Sequence, residues 1–189
     1  MHIKILLCLL GYITFSQSHA TVNAAEALFT QQPSVSPELS VNGKFTVGVT
    51  TQKITNPHSL DTTTFAGIKS RPLTIELWYP AKTQPASTSK ATYQAVTRLH
   101  KPFELQGQAY RGVEPLDEPK AEFPFVVLSH GYTGDRTLMF YLAEHLASHG
   151  YVVASIDHTD STTAEIDLIE APFAGFISTL INRSKDQQF

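Results

Sequence analysis

The chain has 189 residues, of which 42% are hydrophobic, and a formal net charge of −3 at pH 7, which suits one modest domain with a packed core. Its 14 Lys and Arg residues form no basic cluster, so the charge pattern gives no reason to expect a nucleic-acid partner. The single cysteine is Cys8, which leaves no thiol for catalysis or for a disulfide after it.

Residues 1–20 have the pattern of a secretory signal peptide. Lys4 precedes the apolar stretch Ile5–Phe15, and Ser18-His19-Ala20 offers the small residues of a cleavage site. The stretch is shorter than the ~20 residues that a membrane span needs. We therefore expect an exported protein, periplasmic or extracellular, in which residues 21–42 form a flexible leader rich in Gln, Ser, Pro and Ala.

Two alternating segments predict the first strands. They are Phe45–Thr51 and Arg71–Pro80, and a loop is expected between them around Asn56-Pro57 and Asp61–Thr64. Residues 82–120 show only weak periodicity, so we expect a long loop there, either disordered or functional.

The strongest pattern lies in residues 123–160. Phe123–Ser129 is a short apolar strand, Arg136–His149 has the apolar spacing of a helix, and Tyr151–Ile156 is a second apolar strand. Gly150 stands where a glycine commonly ends a helix. Two strands joined by a helix predict a parallel βαβ unit. Thr162–Leu168 is expected to begin a further helix.

Polar residues follow both strands of this unit. Ser129, His130 and Gly131 come after the first strand, and Asp157 and His158 come after the second. Open α/β sheets bind ligands at this edge. The glycine turn after the first strand also offers backbone N–H groups to an anion or a developing oxyanion.

These residues resemble the α/β-hydrolase superfamily. The runs VVLSHGYTGDRT and LAEHLASHGYVVASIDHTD are similar to the platelet-activating-factor acetylhydrolases and to their bacterial dienelactone-hydrolase-like relatives. The resemblance implies that residues 43–189 form a partial α/β-hydrolase domain, with an antiparallel start followed by the parallel βαβ unit, the N-terminal half of the sheet. It also implies that the Tyr132 backbone N–H belongs to the oxyanion hole, and that the site is shaped by His130, Gly131, Gly134, Asp157 and His158.

The nucleophile of that superfamily stands in Gly-x-Ser-x-Gly, with an acid and a histidine later in the chain. None of the ten glycines here lies four residues from another, so the motif is absent, and we expect the family triad to lie beyond Phe189. This chain alone is then expected to be inactive. A triad within the chain is not favoured, because Ser129 and His130 are adjacent on an extended strand end and point to opposite faces.

Metal and cofactor chemistry are not predicted. His145 and His149 share one helix face, as zinc ligands can, but the pattern offers no third ligand.

The resemblance implies a serine carboxylic ester hydrolase that acts on short-chain acyl esters, including those of phospholipids at a membrane or lipoprotein surface. Two alternatives stay open: a dienelactone hydrolase or general esterase for small soluble esters, and a non-catalytic remnant or binding module. If the sheet ends with this chain, we expect Tyr151–Ile156 to form an unpaired apolar edge. The oligomeric state is not predicted.

Overall fold

The computed structural model describes residues 35–83, 88–117 and 122–189. The chain divides into two compact units, Met1–Ser40 and Val41–Phe189. The described part of the first unit holds one 3-10 turn, Pro37–Leu39. The predicted signal peptide and residues 21–34 of the predicted leader lie outside the described residues.

The second unit is built on one mixed sheet. Its elements are β1 (Thr46–Leu60), β2 (Ile68–Ala81), β3 (Lys90–Val96), β4 (Pro102–Arg111), β5 (Phe125–Ser129), α1 (Phe140–Ser148), β6 (Val152–Asp157) and α2 (Phe176–Gln188). The strand order is β3-β4-β1-β2-β6-β5. Within the described residues, no helix is long and apolar enough to cross a membrane.

The antiparallel start of the sheet is confirmed, but its first strand is longer than predicted. β1 pairs with β2 from Thr46 to Leu60 and passes through Asn56-Pro57, where a loop was expected. The register shifts between Asn56 and Ser59, which accommodates Pro57, a residue with no N–H for the ladder. The expected turn at Asp61–Thr64 is present, because Asp61 accepts the Thr63 N–H and the Phe65 N–H closes onto the Asp61 carbonyl.

The expectation of a long loop over residues 82–120 is wrong. This region forms the antiparallel pair β3 and β4, and β4 lies parallel to β1. Ala91, Tyr93 and Ala109 are almost fully buried and alternate with exposed polar residues, which is the strand period of two. Most of the side chains that these strands bury are small, and Tyr93 is the one aromatic among those named here. The alternation of apolar and polar residues in the sequence was therefore weak.

The parallel βαβ unit is confirmed. β5 pairs in parallel with β6 from Phe125↔Val152 to Ser129↔Ile156, and α1 connects them. However, α1 begins at Phe140 rather than Arg136, and the residues before it form turns. Its buried face also differs from the predicted apolar face.

The buried residues of α1 are small or polar rather than large and apolar. Ala143, Ala147 and Glu144 are buried, whereas Tyr141 is exposed. The two alanines let the helix approach the sheet, where they join the core with Trp78. Of the large side chains predicted to pack inward, Leu138, Tyr141 and Leu142 are exposed, whereas Leu146 packs against the core.

β6 lies inside the sheet, between β2 and β5, so the expected edge at Tyr151–Ile156 is wrong. Among the described strands the outer one on this side is β5, whose Phe125 is exposed. The topology nevertheless has the expected α/β class: an antiparallel start, then a parallel βαβ unit that positions the polar strand ends at one edge.

α2 buries a polar stripe. Ser178, Asn182 and Asp186 recur every four residues and face inward, while Ile177 and Leu180 are exposed. This stripe meets Arg71 on β2, so an ionic contact holds the helix to the sheet. The helix predicted to begin in Thr162–Leu168 is absent there, because those residues form turns.

Candidate active site

In the turn after β5, the backbone N–H of Tyr132 makes no hydrogen bond to another described residue. The preceding carbonyl, of Gly131, accepts the Gly134 N–H at 2.9 Å and lies 2.7 Å from Nδ1 of His130. In a trans peptide the C=O and the following N–H point in opposite directions, and no cis bond occurs in the described chain. The Tyr132 N–H therefore points away from the interior of the turn.

The buried side chain of His130 stabilises this turn. Its Nε2 accepts the backbone N–H of His158 at 3.3 Å. An accepting Nε2 places the ring proton on Nδ1, so Nδ1 donates to the Gly131 carbonyl. Burial lowers the pKa of His130, chiefly by desolvation, which favours the neutral ring that this arrangement requires.

Residues 133 and 134 attach the turn to the loop after β6. The Thr133 N–H donates to the Ser161 carbonyl at 2.9 Å, and the Thr163 N–H donates to the Gly134 carbonyl at 2.9 Å. A Cβ on Gly134 would lie 2.9 Å from Cβ of His130, closer than side chains pack, so only glycine fits here. The turn is therefore fixed by contacts on both sides.

Arg183 of α2 brings a positive charge to the same turn. Its Nη1 donates to the His130 carbonyl at 2.5 Å, and Nη2 donates to Oγ of Ser161 at 3.0 Å. Desolvation lowers the pKa of Arg183, although the guanidinium stays charged at any ordinary pH. A cation at this place favours negative charge developing beside the turn.

The Tyr132 side chain faces an apolar part of the surface. Its hydroxyl donates to the Pro172 carbonyl at 2.9 Å, and its ring meets Phe176 edge-on with centroids 5.5 Å apart. Phe173 lies next to Phe176 and is exposed. The free amide is thus bordered by aromatic surface.

Asp157 is engaged by the start of the α1 connection. Its Oδ1 accepts the Arg136 N–H at 2.6 Å, and Oδ2 accepts from Arg136 Nη1 at 2.5 Å. Burial would lower the pKa of Arg136, but Asp157 and Glu76 outweigh it and the pKa is raised. Asp157 therefore holds the segment between the Tyr132 turn and α1.

His158 lies in a hydrogen-bonded series that the sequence did not predict. Its Nε2 is 2.8 Å from Oγ of Ser129, and its Nδ1 is 2.9 Å from Oδ2 of Asp186. Asp186 was missed because it lies far along the chain. The four-residue spacing of polar side chains in α2 was the signal that could have found it. Ser129 and His130 both contact His158: the Ser129 hydroxyl at the ring, and His130 Nε2 at the backbone N–H.

The rings of His145 and His149 on α1 meet edge-on, with centroids 4.6 Å apart. His145 Nδ1 is 3.4 Å from Oδ1 of Asn42, and His149 Nε2 is 3.1 Å from the Val41 carbonyl. In residues 35–83, 88–117 and 122–189 no three His, Cys, Asp or Glu side chains are grouped as metal ligands.

A cavity of about 480 Å³ lies next to Arg71, between the β1–β2 turn and α2. Arg71, Asp160 and Asn182 are among its lining residues, whereas Tyr132, His130 and Ser129 are not. The cavity is therefore separate from the free amide, and we base the candidate site on the amide geometry.

The chain is similar to known proteins. A ferulic acid esterase from Streptomyces cinnamoneus, solved at 2.4 Å resolution, matches with 25% sequence identity and a TM-score of 0.46 over 66% of this chain. The match covers 37% of that esterase, so this chain spans well under half of its length. The family model described as platelet-activating factor acetylhydrolase, isoform II, matches residues 34–174, and the chain belongs to that family.

Proposed function

We propose that this chain contributes the oxyanion-hole side of an exported serine carboxylic ester hydrolase. The observation that carries the proposal is the Tyr132 N–H. It follows the carboxyl end of β5 and makes no hydrogen bond to another described residue. The Gly131 carbonyl is held by His130 and by the Gly134 N–H, so the amide is oriented before a substrate arrives. Such donors act on the charge that develops on a tetrahedral intermediate.

The nucleophile in this proposal comes from a Gly-x-Ser-x-Gly segment, which the 189 residues do not contain. The chain by itself is then expected to give no repeated turnover of esters. Complementation tests this: the chain is co-expressed with a polypeptide from a family member that begins at its nucleophile strand, and p-nitrophenyl acetate hydrolysis is measured. Hydrolysis that needs both polypeptides supports the proposal, and repeated turnover by the 189-residue chain alone contradicts it.

The role of the amide has its own variant pair. Tyr132→Pro removes the N–H, whereas Tyr132→Phe keeps the N–H and removes only the hydroxyl that contacts Pro172. In the complemented enzyme we expect Tyr132→Pro to lower kcat by about 10²–10³-fold. Tyr132→Phe should retain most of the activity. Equal losses would mean that the amide has no special part in the reaction.

The aromatic surface beside Tyr132 favours short-chain acyl esters on an apolar or lipid framework. Phe173 is 73% exposed and lies against Phe176, which in turn contacts the Tyr132 ring. The alternative is a dienelactone hydrolase or general esterase for small soluble esters. Comparing kcat/KM for an acetylated phospholipid with that for a water-soluble acetate ester separates the two. A non-catalytic binding module is the remaining alternative, and failure of complementation would favour it.

Export is part of the same proposal. Lys4, the apolar stretch Ile5–Phe15 and Ser18-His19-Ala20 support removal of a signal peptide, with a mature chain that begins at Thr21 or shortly after. Mass spectrometry of protein from the periplasm or medium checks this. Recovery of the chain with Met1 intact from the cytoplasm would contradict it.

A further inference from the structure

Ser129, His158 and Asp186 form a hydrogen-bonded series at the carboxyl edge of the sheet. Oγ of Ser129 lies 2.8 Å from Nε2 of His158, and Nδ1 of His158 lies 2.9 Å from Oδ2 of Asp186. The side chains of His158 and Asp186 are fully buried. A nucleophile within reach of a base, which a third group orients, is the arrangement that activates serine.

The hydrogen-bond partners settle where the protons lie. Arg71 donates from Nε to both oxygens of Asp186, at 2.9 and 3.1 Å, which holds that group as a carboxylate. A carboxylate only accepts, so Nδ1 of His158 carries the ring proton and Nε2 is left as an acceptor. The Ser129 hydroxyl therefore donates to Nε2, and its proton already lies toward the base.

Ser129 is also the accessible member of the three. It ends β5, the outer strand of the described sheet on that side, and it retains partial exposure. An electrophile can reach it without displacing the core. Ser129 is not the nucleophile of the Gly-x-Ser-x-Gly motif. It lies at the end of strand β5, and the carboxylate that orients its base, Asp186, belongs to α2.

Arg71 also limits the reactivity of the series Ser129, His158 and Asp186. It pairs with Asp186 through Nε and Nη2, and the carboxylate charge that would stabilise an imidazolium is partly compensated. The burial of His158 also keeps water from the ring nitrogen that would activate it for deacylation.

We propose that Ser129 is a covalent acylation site that reacts once, and slowly, with activated esters and organophosphorus electrophiles. Oγ forms a bond to the electrophilic carbon or phosphorus, and the bond to the leaving group breaks with its electron pair. The serine proton passes to Nε2 of His158 and from there to the leaving group. The modified chain accumulates because the burial of His158 keeps water from the base that deacylation would need. This site is independent of the Gly-x-Ser-x-Gly nucleophile invoked above.

A fluorophosphonate tests the proposal on the 189-residue chain. Trypsin releases residues 121–136 as one peptide, in which Ser129 is the only serine. We expect one adduct, on Ser129, in the folded chain and none in the same chain in denaturant. Ser129→Ala should abolish the adduct. Ser70→Ala, which removes an exposed serine on β2, should leave labelling unchanged.

His158→Asn removes the base, and we expect the labelling rate to fall at least about 100-fold. That variant also removes a buried side chain on which folding can depend. The labelling rates of Ser129 in the folded and in the denatured wild-type chain therefore provide an independent test of the proposal. Labelling of Ser129 no faster in the folded chain than in denaturant, or an adduct on another residue, would overturn the proposal. Labelling of Ser129 together with failed complementation would overturn the ester-hydrolase proposal alone, and the reverse result would overturn only this one.

Discussion

Nε of Arg71 lies 2.9 Å from Oδ1 of Asp186, and the pair joins β2 to α2 across 115 residues of sequence. The side chain of Arg71 is 5% exposed and that of Asp186 is fully buried. Arg71 also donates to Asp160, to Ser178 and to the Thr159 carbonyl. One guanidinium thus fixes the helix, the loop after β6 and, through Asp186, the ring of His158.

Replacement of Arg71 by methionine should destabilise the domain by about 3–5 kcal/mol, because it leaves the Asp186 charge buried without a cation. Urea denaturation followed by circular dichroism measures the change. Lys82→Met is the matched control, since Lys82 pairs with Glu114 at 2.8 Å on an exposed surface. We expect that control to leave the midpoint unchanged. Similar midpoints for both variants would show that the buried pair contributes little.

A second buried contact links Trp78, Tyr93 and Glu144. The Tyr93 hydroxyl accepts from Trp78 Nε1 at 2.8 Å and donates to Glu144 Oε1 at 2.7 Å. Burial first, and then the Glu144 carboxylate, raise the pKa of Tyr93, so the hydroxyl remains a donor at any ordinary pH. Glu144 also accepts the N–H groups of Gln108 and Ala109, which fastens α1 to β4.

Tyr93→Phe should cost about 1–3 kcal/mol, because the Trp78 N–H and the Glu144 carboxylate each lose a buried partner. Trp78 is the only tryptophan, so its fluorescence reports unfolding of this region without interference. Tyr141→Phe removes the hydroxyl of a tyrosine that is 65% exposed and provides the control. A Tyr93→Phe midpoint equal to that of the control would argue against a structural role for the hydroxyl.

Stability should fall in mild acid because of His130. Its pKa is lowered in the folded state by desolvation, while the unfolded chain has the ordinary value of 6.5. Below pH 6.5 the unfolded state therefore binds more protons than the folded state, and the free energy of unfolding decreases until the pH reaches the folded pKa. Above pH 6.5 the full contribution of His130 to the free energy of unfolding is present.

Urea midpoints at pH 7.5 and 5.5, compared between wild type and His130→Gln, test this. We expect a smaller loss between the two pH values in the variant, whatever its absolute stability. His58→Gln, which removes an exposed histidine, should keep the wild-type loss. An equal loss in wild type and His130→Gln would show that His130 does not set this pH dependence.

The elements that the sequence predicted are those with a continuous apolar signal. β2 and the strands flanking α1 carry such runs, and Gly150 adopts the positive φ that ends α1. β3 and β4 were missed because the residues they bury, such as Ala91 and Ala109, add little apolar content. Their pairing depends on neighbours that a local pattern does not contain.

The candidate site was predicted in part for a similar reason. The turn at Gly131–Gly134 is local, so its position after β5 followed from the order of residues. Asp186 belongs to the same region only because Arg71 draws α2 toward the sheet, which is a long-range contact. The apolar spacing in α1 also misled, because close approach of helix and sheet selects Ala143 and Ala147 over larger residues.

The last prediction concerns the outer face of α2. With its polar stripe buried against Arg71, the helix leaves Ile177 and Leu180 exposed, at 48% and 65%. Phe173, just before the helix, is 73% exposed. Apolar patches of this kind bind partners, hydrophobic dyes or other copies of a chain. We expect the 189-residue chain to bind an anilinonaphthalene dye in its folded state and to aggregate on concentration.

Phe173→Ser combined with Leu180→Ser should lower dye fluorescence and the aggregated fraction, because both side chains lie on this face. The free energy of unfolding should change by no more than about 0.5 kcal/mol, as for other surface substitutions. Ala147→Leu gives the opposite control: Ala147 is fully buried against the sheet, so overpacking there should destabilise the fold and raise dye binding. Dye fluorescence that stays at the wild-type level in the double variant would place the dye site elsewhere and leave aggregation to another surface. Light scattering across a concentration series, measured on the same samples, then shows whether dye binding and self-association share this face of α2.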